Sequence, residues 1–336
     1  MKLNTSGVDP NREPRIMRGK DRVVSIMMRL FVFLLGCVSL QTLADNPVKK
    51  IGEIGHGPIT EVSGIVKSRT YGDTYWIHND SGDTPRLFAI NADGTVIVPP
   101  FVRKQTIGPG HSDQHWPGMP VLVAANQDWE DIAVSGDLIY IADLGNNGNA
   151  RRDLGLYVVR EPNPAAITNV RTFQYYPVEY PEQSSFPAKN WHFDSEGLFV
   201  DAAVPYVITK HRQPGKISDW QRGANLYRLD TWHTDQVNQL VKVSTHSEMA
   251  VATAADLSPD GQWLAVLCYT DVWLFKRPTQ GDDWFASESH RLKLDFRQTG
   301  QVEAIAWQDD EQLIFTNEPG ELFGITRRAI QQSTDQ

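Results

Sequence analysis

The amino-acid sequence predicts an all-β fold in which one small antiparallel sheet is repeated around an axis, and three observations lead there. A motif of small or acidic residues followed by apolar ones recurs as EVSGIV (61–66), DWEDIA (128–133), DSEGLF (194–199), TAADLS (253–258) and QVEAIA (301–306). A second apolar run, rich in aromatic and β-branched residues, follows each copy. In four of the five the offset is constant: Tyr140, Tyr206, Ala265 and Leu313 stand ten residues beyond Glu130, Glu196, Ala255 and Glu303. Finally, no long stretch has a helical period; AAITNV and DQVNQLV come nearest, and both are short. Repeats of this length carrying three or four short strands predict a β-propeller. Five copies predict five blades, and a sixth blade hidden in 91–127 is the structural alternative.

The elements are justified in chain order. Met28-Arg29, the apolar run LFVFLLGCVSL and the small-residue ending QTLA predict an export signal at 28–44. Residues 1–27 then form an extended n-region or follow from an over-called start, since Met17, Met27 and Met28 are also available. An uncleaved anchor and a lipoprotein reading of Cys37 are the alternatives. The propeller is expected over 45–328, with a short tail at 329–336. VKKIGEI (48–54) has no partner within its own repeat, whereas the last repeat lacks a fourth strand. It is therefore expected to complete blade five and remove a free sheet edge. Third strands are expected at RLFAI, GLYVV, NLYRL, VWLF and ELFGI, and fourth strands at TVIVPP, FQYYPVEY, QLVKVSTH and HRLKLDF.

The formal net charge is −9; removal of residues 1–44 takes 7 basic and 3 acidic residues with it, so 25 face 38 and the charge becomes −13. Such a field repels nucleic acid and anionic membranes and favours cations. Only Cys268 then remains, so no intrachain disulfide forms. A periplasmic or secreted monomer with no transmembrane segment after cleavage is expected.

The start of the first strand and the end of the second meet at one rim. That places Glu61, Glu130, Asp131, Glu196, Asp256 and Glu303 beside His78, Asn79, Asp80, Asp143, Lys210, His211, Tyr269 and Glu318. Clustered carboxylates repel one another and recruit a cation. Calcium suits them, because it accepts six to eight oxygens from flexible donors. Glu130, Asp131, Glu196, Asp256 and Glu303 are the candidate metal ligands. The other rim residues, with Arg151, are candidates for contact with a small-molecule or protein ligand. The bland alternative is that these acids bond backbone amides of the neighbouring blade. Long irregular connections are expected at 143–153 and 211–223. DLGNNGNARRD (143–153) lacks the carboxylates of a calcium loop and reads as a Gly/Asn turn. His111 and His115 are exposed-loop residues or a transition-metal pair. Ser63 with His78 and an acid makes a nucleophilic triad conceivable. Trp116, Trp129, Trp191 and Trp220 either stack on a ligand or pack between blades.

HNDSGD (78–83), DWEDIA (128–133), the D-L-G-N-N turn (143–147), YVITK (206–210) and EAIA (303–306) resemble a group of exported bacterial β-propeller proteins of largely uncharacterised function. DSEGLFVDAAVPYVITK (194–210) is more distantly similar to blades of β-propeller phytases and phytase-like esterases. That resemblance implies calcium and phosphate near an acidic strand, but the chain lacks their N-N-x-D run. LSPDGQWLAV (257–266) is similar to WD40 and TolB-type blades and carries no reaction. Two functions follow as expectations: an envelope propeller that binds a cation, small ligand or protein at its acidic rim, or a calcium-dependent hydrolase of a phosphoester, carboxyl ester or lactone.

Overall fold

The computed structural model describes residues 46–106 and 116–333; the export segment and the His111–His115 loop lie outside them. Residues 47–336 form one unit. The chain enters as β1 (Lys49–Glu53). Blade one contains β2 (Val62–Lys67), β3 (Tyr75–Asn79), β4 (Arg86–Ile90) and β5 (Met119–Leu122). Blade two contains β6 (Trp129–Ser135), β7 (Leu138–Asp143), β8 (Gly155–Arg160) and β9 (Val170–Glu179). Blade three contains β10 (Trp191–Asp201), β11 (Val204–Gln213), β12 (Lys216–Leu229) and β13 (Asn238–Ala250), of which β12 and β13 are the two longest strands described. Blade four has β14 (Ala252–Leu257), β15 (Trp263–Cys268), β16 (Asp271–Lys276) and β17 (Ser289–Lys293). Blade five has β18 (Val302–Trp307), β19 (Gln312–Asn317) and β20 (Glu321–Thr326).

β1 pairs antiparallel with β20, from Lys49 opposite Gly324 to Glu53 opposite Glu321, so the N-terminal strand is the outer strand of blade five. The innermost strands adjoin in a closed cycle, β2 to β6, β10, β14, β18 and back to β2. The core follows the same cycle. Each apolar cluster fills the space between two neighbouring blades: Trp76 and Ile132 between one and two, Tyr140 and Val207 between two and three, Phe199 and Val266 between three and four. Leu274 and Phe315 pack between four and five, and Ile314 and Ile77 between five and one. This is a β-propeller, whose alternating strand residues bury both faces of every sheet.

Three expectations are corrected. TVIVPP contributes an isolated bridge, Ile90 opposite Val96, and the fourth strand of blade one is β5, paired through Arg86 and Pro120. The stretch 211–223 is not an irregular loop: β11 and β12 continue through it and turn at Gly215, whose φ of +78° suits a residue without a Cβ. The 329–336 tail begins inside a helix, Arg327–Ser333, whose Ile330 is fully buried in the cluster between blades four and five. No helix among the described residues is long and apolar enough to cross a membrane.

Candidate functional site

The register places the expected strand ends together: Trp129 lies opposite Asp143, Asp194 opposite Lys210, and Val302 opposite Asn317. Carboxylate oxygens of Asp80, Asp128 and Glu130 lie within 4.8 Å of one another, and so do those of Glu130, Asp194 and Glu196. Glu130 belongs to both groups. Glu303 is close enough to raise the Glu196 pKa.

The two groups are compensated differently. Asp194 Oδ1 accepts the Asn146 amide at 2.6 Å and Oδ2 accepts Arg212 Nε at 2.8 Å, with Lys210 Nζ 3.8 Å away. Lys210 also forms a close ion pair with Glu196. Burial lowers the Lys210 pKa, but Glu196, Asp194 and Glu130 together hold it well above that of a free lysine. Asp80 Oδ1 accepts the Ser81 amide, and Asp128 Oδ2 receives Asn147 Nδ2 at 3.5 Å. Glu130 is 5% exposed, with Lys210 as its attracting charge and Glu196, Asp80 and Asp128 as its repelling ones.

Burial is the first cause of every raised carboxyl here, and mutual repulsion adds to it. Asp128 is pushed up to about 6 by burial, Asp80 and Asp194. Glu196 reaches about 8 and Glu303 about 7, in both cases against the opposing pull of Lys210. Glu130 is driven well above the ordinary carboxylate range. Two unit charges about 5 Å apart repel by roughly 3 kcal/mol at an effective dielectric near 20. Six carboxyls against Lys210 and Arg212 therefore leave charge that only protons or a further cation can offset.

The D-L-G-N-N turn shapes this cluster. Asn146 Oδ1 accepts the Ala150 and Arg151 amides at 2.9 Å, and Asn146 Nδ2 donates to the Phe193 carbonyl. Arg151 donates to Asp143 Oδ1 at 2.9 Å and to the Gly145 carbonyl at 2.7 Å. A Cβ on Gly145 would lie 2.2 Å from Glu130 Oε1 and 2.4 Å from Asp128 Oδ2, so the glycine leaves room for both carboxylates.

Several expected rim residues lie elsewhere. Asp131 is fully buried and is not with the cluster: Oδ1 accepts the Ile132 amide, and Oδ2 accepts those of Leu198 and Ala255 at 2.7 and 3.0 Å. It fastens blade two to blades three and four. Asp256 is also spent on backbone, accepting Leu257 N and Trp307 N. It pairs with Ala265, as Ala133 does with Tyr140, so it stands deeper along its strand and lines the groove at the other end of the ring with Arg69 and Asp260. His78 is fully buried against Trp129 at 5.6 Å, and burial pushes it down to about 4. Asn79 Nδ2 is held by Pro58 O and Asp83. His211 stacks on His192 at 3.7 Å. Ser63 donates to the Glu130 carbonyl at 2.7 Å and His78 Nδ1 contacts the Asn79 carbonyl, so the triad is not assembled.

Glu61 is exposed and raises the Asp80 pKa, Glu318 raises that of Glu303, and burial with Glu303 and Glu196 raises that of Tyr269. Trp220 covers Arg212 at 4.2 Å and Lys210 at 5.6 Å and meets Tyr269 edge-on at 5.9 Å. Of the other tryptophans, Trp129, Trp116 and Trp191 are buried. Asp128, Asp194, Arg212 and Gly145 were missed by sequence reasoning. The signal was alternation: Asp128 and Asp194 stand two residues before Glu130 and Glu196, as Arg212 stands two after Lys210, and i, i+2 residues of a strand share a face.

No family model matches the chain, and no curated protein matches it. Solved structures are similar over most of its length. A gluconolactonase from Xanthomonas campestris is 13% identical with a TM-score of 0.40, covering 83% of this chain and 89% of its own. A PQQ-bound aldose sugar dehydrogenase from Streptomyces coelicolor is 9% identical with a TM-score of 0.43, covering 83% and 97%. A glucose dehydrogenase is 10% identical with a TM-score of 0.44, covering 83% and 98%. At these identities and scores, neither ligand nor reaction transfers to this chain.

Proposed function

We propose that the acidic rim binds a divalent cation, calcium by the chemistry of its donors, and that the protein is a calcium-dependent hydrolase of a carboxyl ester, lactone or phosphoester. The observation that carries the reading is the buried Glu130 carboxylate shared by two groups of three. The donor set fits the ion: the groups are oxygen ligands, their charge exceeds that of the neighbouring cations, and Gly145 leaves space beside two of them. Asp80, Asp128 and Glu130 would hold it, because Lys210 and Arg212 already engage Glu196 and Asp194. Bound there, calcium would polarise a carbonyl or phosphoryl oxygen and favour ionisation of water.

The chain's own residues supply the rest. Glu303, near 7, is partly ionised at neutral pH and is the proton acceptor in this reading. Lys210 and Arg212 offset part of the charge of Glu196 and Asp194, although Glu196 still repels Glu130. Trp220, 40% exposed, gives the substrate an apolar wall.

Thermal melting with calcium and with chelator, followed by hydrolysis of phosphoester, carboxyl ester and lactone substrates, tests the proposal. Calcium should raise the melting temperature, and Glu130→Gln should remove the rise. Melting indifferent to millimolar calcium would overturn the cation site. A second reading, a binding propeller without catalysis, is favoured by the engagement of Ser63 with a backbone carbonyl. A calcium shift without turnover on any substrate would select it. Export before residue 45 belongs to either reading, and cell fractionation with N-terminal sequencing tests it.

A further inference from the structure

We propose that the chain carries a second binding site, for a small anion bearing a carboxylate or phosphate group, in the cavity between loop 181–190 and strands β12 and β13. The cavity has a volume of about 300 Å³ and is lined by Ser184, Ser185, Lys189 and Asn190 of the loop, with Asn225 and Lys242 from the strands. That size suits a compact metabolite.

The charge pattern points to the ligand class. In a chain of net charge −9, Lys50, Lys210, Lys216 and Lys276 each lie within 4 Å of a carboxylate, whereas Lys67, Lys189, Lys242 and Lys293 have no such partner among the described residues, and Lys189 and Lys242 stand at this one cavity. Glu182, the acid at this cavity, accepts the Tyr227 hydroxyl at 3.4 Å. Asn225 Oδ1 accepts the Thr245 hydroxyl at 2.7 Å, which leaves its NH₂ group to donate.

A second, independent feature lies behind the lysines. His192 lines the cavity and stacks on His211 with rings 3.7 Å apart and 10° from parallel. His211 is 5% exposed, and its Nε2 has no hydrogen-bond partner. Burial holds both imidazoles in the neutral form, and Lys242 adds to the effect. An anion between Lys189 and Lys242 would offset the field that Lys242 sets up at both imidazoles. Lysines, amide and hydroxyl donors thus surround one space with a single carboxylate that is already hydrogen-bonded.

The test is a titration of the whole chain in chelator, so that its result does not depend on the rim. Inorganic phosphate and citrate are added separately, and the imidazole nitrogen resonances of His192 and His211 are followed by NMR. A saturable shift with either probe is expected, weakened at least fivefold in the Lys189→Met/Lys242→Met double variant; the responding probe identifies the anionic group. Absence of a saturable shift with both probes, or a loss smaller than fivefold, would overturn the proposal. The two lysines are exposed, so the double variant should retain the parent's melting temperature.

Discussion

Neighbouring carboxylates on one strand serve opposite ends here. Glu130 turns into the cluster, while Asp131, the next residue, holds three amides from three strands. Replacing Asp131 by Ala leaves those buried donors without an acceptor, at about 1–3 kcal/mol each. Asp131→Ala should therefore melt many degrees lower, and any folded fraction should still respond to calcium. Gly145→Ala should give the reverse pattern. Its methyl would meet Glu130 and Asp128 at 2.2 and 2.4 Å, so those carboxylates must move. A loss of the calcium-dependent rise in melting temperature, with a destabilisation in chelator of about 1–3 kcal/mol, is expected. A Gly145→Ala protein that binds calcium as the parent does would remove Asp128 and Glu130 from the ligand set.

At the scale of elements, strands two and three of every blade were legible because their aromatic and β-branched runs are continuous and bounded by turn residues. The fourth strand of blade one was not: β5 is four residues long, contains Pro120 and stands nearly thirty residues beyond β4. The rim was half legible. Motif alignment found Glu130, Glu196 and Glu303, but it misplaced Asp256 because the turn between β14 and β15 (258–262) is longer than that between β6 and β7 (136–137), so Asp256 takes the strand position that Ala133 holds in blade two. Alternation would have paired Asp128 with Glu130 and set Asp131 on the other face. The C-terminal helix was invisible because its burial rests chiefly on one residue. Ile330→Ala, which removes a fully buried side chain between blades four and five, should cost about 2–5 kcal/mol by chemical denaturation. A cost below 1 kcal/mol would mean that the helix is not docked there.

At the scale of the whole molecule, the ring brings the acids together, and its stability must therefore depend on pH in a direction unlike that of a protein held by salt bridges. An acid whose pKa is raised on folding binds its proton more tightly in the folded state, so the folded state loses stability as pH rises from the unfolded pKa through the folded one. Glu196, near 8, and Glu303, near 7, extend that loss across the neutral range. His78 and His211, pushed down to about 4 and about 3 by burial, act oppositely. The stability lost by leaving these imidazoles uncharged appears as pH falls below the ordinary histidine pKa, about 6.5. Above that value the carboxyls act alone. In chelator, the melting temperature should fall between pH 6.5 and pH 8. Calcium, which binds only ionised carboxylates, should stabilise more at pH 8 than at pH 6.5 and so flatten the fall. Glu196→Gln should reduce the slope in chelator, because its amide does not titrate. A melting temperature in chelator that rises over this interval would mean that the rim acids are already ionised and paired, and the need for a further cation would disappear with their repulsion.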